Sequence, residues 1–302
     1  MSDLKLFRAQ GNTLLELDAS SAPLEKGLQI LFEKNLEVLL GVRFLASEYV
    51  TTNGGRIDTL GIDENGCPVI IEYKRDRSEN VINQGLFYLD WLVDHRGDFE
   101  LLVLRRYGQE AAEEVEWSSP RLICIAADFT KYDVHAVKQM ARNIELIRYR
   151  KFGDDLLLLD QLTSVSSGSS VPTSTVPNGT VAQKYKTISE SMGDASESLA
   201  NLYADVENFL LSLGDDVTKK TLRFYIAFRR IKNFACVEIK PSLDVVRIYL
   251  KLDPKTVPLE AGFTRDVSNI GHFGTGDLEV TLRSHDDLER AKPLIVQSYE
   301  AS

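Results

Sequence analysis

The sequence predicts an α/β protein, with a mixed sheet flanked by helices over residues 1–162 and a smaller α+β domain over 184–302. Segments with apolar residues at helical spacing alternate with short apolar runs of strand length, as in a helix-covered sheet. Residues 163–183 carry Ser, Thr, Gly and Pro without charge or periodicity, which is linker chemistry and predicts a domain boundary. A chain of 302 residues is also long for one core and suits two domains.

In chain order, Leu4 to Leu17 alternate weakly around Gly11-Asn12, predicting a small hairpin. After Ser20-Ser21-Ala22-Pro23, the residues Leu24, Leu28, Leu31, Phe32, Leu36 and Leu39 recur at helical spacing up to Gly41. With that stripe inward, Glu25 lies at its edge, while Glu33 and Glu37 lie further out on a solvated face. Residues 42–50 read as a strand, and Asn53-Gly54-Gly55 turns the chain into the stretch Gly55 to Arg75, which reads as two apolar strands joined by a Gly-bearing turn. A helix is expected from Ser78, with Val81, Ile82, Gly85, Leu86, Leu89 and Leu92 on its inner side. Strands are expected at Phe99 to Leu104, Leu122 to Ala126 and Ile144 to Tyr149, separated by helical segments near 108–115 and 130–142. In the second domain a helix over 184–213 precedes strands at Leu222 to Phe228, Cys236 to Ile239, Val245 to Leu252 and Leu278 to Leu282, then a helix from Asp286.

A net charge of −10, with the surplus acid mostly in the first domain, argues against coating nucleic acid through many phosphate contacts. It is compatible with a local basic groove aided by a divalent metal. Three scattered cysteines show no metal-ligand spacing and fit reduced, buried thiols. No leader-like segment and no run of about 18 apolar residues appears, so a soluble cytoplasmic protein without a membrane partner is expected. Small-molecule enzyme motifs are lacking: the Gly271 to Gly276 piece has no following Lys-Ser/Thr, and no nucleophile elbow occurs.

The chemistry concentrates in residues 55–75, where charged residues interrupt apolar strands. Burying Glu72 and Lys74 within Val69-Ile70-Ile71-Glu72-Tyr73-Lys74 is costly unless a partner charge, metal or substrate compensates. If Gly66 closes a three-residue loop in the left-handed conformation, Asp63 pairs with Cys67 and Asp58 faces Glu72, with Lys74 on the same side. A two-residue Asn65-Gly66 turn would place the two carboxylates on opposite faces. Opposed carboxylates suit Mg²⁺ or Mn²⁺, and Lys74 beside them could orient or help deprotonate an attacking water or stabilise developing charge. The plain alternative is a cross-strand salt bridge of Lys74 with Glu72 or Asp58.

Asp58, followed after a hairpin by Glu72-Tyr73-Lys74, resembles the core signature of the PD-(D/E)XK nuclease superfamily. Gln84-Gly85-Leu86-Phe87-Tyr88 on the next helix is similar to the Gln-x-x-x-Tyr element of its mismatch-endonuclease and recombination-nuclease branches. The resemblance covers about residues 20–150 and departs from the superfamily name in having Arg56-Ile57-Asp58 rather than Pro-Asp. It implies a restriction-endonuclease-like fold and a Mg²⁺- or Mn²⁺-dependent endonuclease acting on DNA rather than RNA. Asp58, Glu72, Lys74, Gln84 and Tyr88 would be the catalytic set. Metal ligands would be Asp58 and Glu72, joined by a first-helix acid that is Glu25 or Glu33; Glu48 is a further candidate. Arg56, Arg75 and Arg77 could contact phosphate, though Arg75 and Arg77 read equally as solvated turn residues. Trp91 and His95 read as packing residues. A homodimer is an arrangement such relatives use, because two sites are needed to cut two strands.

The second domain resembles a domain of unknown function that ends such nucleases. Its Arg229, Arg230, Lys232, Arg247, Lys251, Arg265 and His272 read as ordinary solvated residues before they read as a nucleic-acid face. The alternative for the whole chain is a non-catalytic nucleic-acid-binding or scaffold protein that keeps the nuclease fold.

Overall fold

The structure, a computed structural model, describes residues 5–20, 24–75, 81–153, 155–165 and 186–302. The chain divides into two compact units, Met1–Asp63 with Cys67–Ser167 and Glu64–Gly66 with Gly168–Ser302. The stretch expected to be linker lies outside the described residues from 166 to 183, as do Ser78 and Arg77.

In the first unit, β1 (Leu6–Gln10) and β2 (Thr13–Leu17) form the expected hairpin, followed by β3 (Ala19–Ser20). The predicted first helix is two, α1 (Glu25–Glu33) and α2 (Leu36–Leu40), because the chain leaves helical geometry at Asn35 before Gly41 closes α2 in the left-handed conformation. Then come β4 (Val42–Val50), β5 (Arg56–Asp63), β6 (Pro68–Lys74), α3 (Val81–Asp94), α4 (Arg96–Tyr107) and α5 (Gln109–Glu113). The unit closes with β7 (Arg121–Ala126), α6 (Lys131–Gln139), β8 (Asn143–Phe152) and β9 (Leu156–Val165).

These strands build a seven-stranded mixed sheet in the order β3-β8-β7-β6-β5-β4, with β9 on β8. Strands β4, β5 and β6 run antiparallel, whereas β6, β7 and β8 run parallel, so β6 joins the two halves. Its run from Pro68 to Tyr73 and all of β7 are buried, as central strands covered on both faces must be. On one face α3 packs through Val81, Ile82, Leu89 and Leu92 onto Leu60, Ile62, Ile70 and Leu122. On the other, Phe32 of α1 meets Tyr73 edge to face at 5.7 Å. Gly85 lets α3 lie close to the sheet: a Cβ there would stand 2.4 Å from Leu122 Cδ1 and 2.7 Å from Cδ2.

At the start of β7, Arg121 is fully buried with Asp63 and Glu145. Its Nε and one terminal nitrogen bind the two Glu145 oxygens at 2.8 and 2.9 Å, and the other terminal nitrogen binds Asp63 at 3.0 Å. This triad ties β5, β7 and β8 together.

Two readings of this unit are corrected. Phe99 to Leu104 lies in α4, not in a strand. Phe99 and Val103, four apart, are buried while Leu101 and Leu104 are exposed, and Asp98 and Arg105-Arg106 sit at the helix ends their charges suit. Strand β9 was not anticipated and runs to Val165, into the stretch expected to be linker.

The second unit begins with α7 (Ile188–Gly193) and α8 (Glu197–Ser212), where one helix is predicted; Ser196 accepts from the Leu199 N–H and starts a new helix. Strands β10 (Thr218–Thr221), β11 (Ile226–Arg229), β12 (Asn233–Lys240), β13 (Val245–Leu250), β14 (Thr264–Asp266) and β15 (Leu278–Leu282) precede α9 (His285–Glu300). They form an antiparallel sheet in the order β10-β11-β12-β13-β15-β14, with Leu202, Val206, Leu210 and Ile295 of the helices in its core. The predicted strand Leu222 to Phe228 is a strand only from Ile226; before it the Leu222 N–H donates to the Tyr225 carbonyl in the turn between β10 and β11. Both units thus have the architecture the sequence predicts, a mixed helix-flanked sheet followed by an α+β module.

Candidate active site

The site grows out of the β5-β6 hairpin. Asp63 N–H donates to the Cys67 carbonyl at 2.9 Å, and Gly66 has φ 75°, a conformation that favours glycine. The three-residue loop sets the register Ile62↔Pro68, Leu60↔Ile70 and Thr59↔Ile71, and Asp58 and Glu72 are the next residues beyond the last pair.

The two acidic residues engage each other's strand. The Asp58 N–H donates to Glu72 Oε1 at 3.2 Å, and Asp58 Oδ2 accepts from the Tyr73 N–H at 3.0 Å. Glu72 is fully buried, and its second oxygen, Oε2, is buried with no hydrogen-bond partner. Burial, reinforced by the charge of Asp58, pushes the Glu72 carboxyl up to about 9. Burial also raises Asp58, opposed by the Tyr73 N–H and the Lys74 charge.

Helix α1 addresses this strand end with a polar stripe. Glu25, Gln29 and Glu33 recur every four residues and so lie on one side of the helix. Glu25 Oε1 binds Lys74 Nζ at 3.1 Å and its Oε2 accepts from the Arg75 N–H at 3.2 Å. Burial alone would lower the Lys74 ammonium, but Glu25, Asp58 and Glu72 together keep it raised, so it stays charged. Glu33 accepts from Thr59 Oγ1 at 2.7 Å. Glu25, expected as a third metal ligand, is therefore spent on Lys74 and the backbone after it, and Glu33 on Thr59. Among the described residues no group of three or more His, Cys, Asp or Glu converges as a metal cage.

Glu48 of β4 has φ 54°, a left-handed conformation in mid-strand between the pairs Ser47↔Thr59 and Tyr49↔Ile57. Its carboxylate binds Lys26 Nζ at 2.7 Å and Arg56 Nε at 2.6 Å, and Lys26 holds its carboxyl below the usual range. On α3, Gln84 Nε2 donates to the Tyr88 hydroxyl at 3.1 Å, and the Arg56 N–H reaches the same oxygen at 3.2 Å. Arg75 is exposed at the end of β6. Trp91 and His95 stack at 4.4 Å with Trp91 bonded to Thr52, as packing residues do.

The chain is 30% identical over 308 residues to an uncharacterized protein of Haemophilus influenzae, across 98% of this chain and 99% of that one. It belongs to that protein's family. Residues 188–302 match the model of a domain of unknown function (DUF5655). Among solved structures, a repair endonuclease from Pyrococcus abyssi aligns at 19% identity and TM-score 0.28, over 43% of this chain and 49% of its own. An EndoMS-dsDNA2 complex aligns at 18% identity and TM-score 0.26, over 48% of this chain and 64% of its own. This chain spans less than two thirds of either neighbour's length.

For this family member the arrangement fits a hard divalent cation in one respect that charge alone does not explain: Glu72 Oε2 is a buried oxygen without a hydrogen-bond partner beside a second carboxyl group. Asp58 and Glu72 could hold Mg²⁺ or Mn²⁺ while water and substrate oxygens complete its shell. Sequence reasoning missed Gln29 and Lys26. Their signal was present, since an amide placed midway between Glu25 and Glu33 completes a four-residue repeat, but it adjoins the apolar stripe and reads there as helix surface.

Proposed function

We propose that the first unit is a Mg²⁺- or Mn²⁺-dependent nuclease, an endonuclease acting on DNA rather than RNA. The observation that supports it best is the facing pair Asp58 and Glu72, with one buried oxygen unpartnered and the charged Lys74 two residues along the same strand face. Asp58 and Glu72 would hold the cation, which when bound supplies charge neutralisation at the phosphate and acidifies water. Lys74, held protonated, acts as a cation toward the attacking water or the developing phosphate charge rather than as a base. Gln84 and Arg56 occupy the acceptor side of the Tyr88 oxygen, which leaves the hydroxyl hydrogen to donate. Arg56 and Arg75 border the carboxylates and would meet backbone phosphates; Arg77, proposed from sequence for the same task, lies outside the described residues.

The test is incubation of the whole protein with duplex, single-stranded, branched and mismatched DNA and with RNA, in Mg²⁺ and in Mn²⁺. Cleavage of at least one substrate that disappears with EDTA and with Asp58→Asn is expected. All substrates intact in both metals would sink the proposal. A second reading, a nucleic-acid-binding protein that does not cut, draws support from the pairing of Lys74 with Glu25 and of Arg56 with Glu48. Saturable DNA binding without metal uptake would select it.

A further inference from the structure

Resting on the nuclease reading, we propose that Gln29 of α1 is the positioning residue for Asp58, the means by which the first helix serves the site. Gln29 is 4% exposed, on a helix whose other buried positions are Leu28 and Phe32. Its Nε2 lies 2.7 Å from the Asp58 carbonyl, 2.9 Å from Glu33 Oε1 and 3.2 Å from Ser47 Oγ.

The orientation of the amide is settled by its neighbours. Lys26 Nζ, which can only donate, faces Oε1 at 3.1 Å, so the atom facing the Asp58 carbonyl is the nitrogen. Glu33 is anchored in turn by Thr59, the residue after Asp58. Asp58 is therefore gripped on three sides: its N–H by Glu72, its carboxylate by the Tyr73 N–H, and its carbonyl by Gln29. The third grip is needed where it occurs, because Glu48 on the neighbouring strand is in the left-handed conformation beside Asp58.

A buried amide with only two hydrogens and three acceptors is a poor packing choice where leucine would fill the space. Its value lies in fixing the main chain of a residue whose carboxylate must stay in place to meet a cation. Groups that orient a ligand from behind typically change metal affinity or activity by about 10–100-fold when removed.

The experiment uses the full chain with Gln29→Leu and the more adaptable Gln29→Met, which fills similar volume if the leucine variant does not fold. Mn²⁺ affinity is measured by calorimetry without nucleic acid, and kcat and KM are measured on the substrate that the wild type cleaves. The expected result is Mn²⁺ binding weakened by about 10-fold or more and kcat lowered similarly, with KM within about 2-fold. A lower melting temperature with Mn²⁺ affinity and kcat both within about 2-fold of wild type overturns the inference and leaves Gln29 a packing residue. A wild type that neither binds Mn²⁺ nor cleaves overturns the nuclease reading itself, and this inference with it.

Discussion

Asp58 and Glu72 hold each other's backbone: one donates its N–H to the other's carboxylate, and its own carboxylate takes the N–H that follows the other. Past the last paired residues, Thr59 and Ile71, carboxylate oxygens thus take the N–H groups of the two strands. Asp58→Asn keeps the shape but removes half the charge offered to a cation, and cleavage should fall by about 100-fold or more, since a metal supplies several kcal/mol of transition-state stabilisation. Mn²⁺ titration of the same variant should show its site weakened or lost.

Glu72 ties metal to pH. Its carboxyl ionises near 4.5 in the unfolded chain and near 9 in the fold, so between those values the folded protein keeps a proton that the unfolded chain has released. The stabilising contribution is complete below about 4.5 and is lost as pH rises toward 9. Metal-free protein should therefore lose melting temperature across that window. Glu72→Gln should flatten the loss, and Mg²⁺ should offset it by binding the ionised form. A melting temperature for metal-free wild type that rises from pH 5 to 8, in parallel with Glu72→Gln, would contradict this assignment.

Against burial, Glu25 is the first of the groups that keep the Lys74 ammonium raised, ahead of Asp58 and Glu72. Lys74→Met should leave Mn²⁺ affinity nearly intact while lowering kcat by about 100-fold, the scale of losing one electrostatic stabiliser. Glu25→Gln removes the partner that raises the lysine, so the alkaline limb of the pH–rate profile should move to lower pH. A limb that stays in place in Glu25→Gln would show that Lys74 does not set it.

Stability should depend most on a group away from this chemistry. Arg121→Met would leave the buried carboxylates of Asp63 and Glu145 without their cation, at a cost of about 3–5 kcal/mol in urea unfolding. Replacing all three by apolar residues of similar volume should recover most of that loss, because the isolated charges are what is costly.

How much of this was legible in the sequence varies with the range of the forces involved. The register of β5 on β6 was, because one glycine in a short loop fixes it locally, and with it the meeting of Asp58 and Glu72. The helical state of Phe99 to Leu104 was not, since a short apolar run has no period of its own and the burial of Phe99 and Val103 is decided by what packs on them. The first-helix acid stays open between Glu25 and Glu33 in the sequence, because a helical wheel gives direction but not reach; in the fold Glu25 meets Lys74 and Glu33 meets Thr59. Gln29 was missed because its four-residue repeat with Glu25 and Glu33 adjoins the apolar stripe and reads as helix surface, while its bond to Asp58 goes to a main-chain carbonyl that side-chain patterning does not show.

The helix carrying Gln84 and Tyr88 rests on the sheet at Gly85, with no room for one more carbon against Leu122. That clearance acts as a shim. A single methyl at position 85 would have to push the Leu122 side chain aside or lift the helix, less than one turn from a hydroxyl whose hold on the Arg56 N–H is already 3.2 Å long. The spacing of helix from sheet and the order of the site's rim are therefore one mechanical adjustment, set by the absence of a side chain.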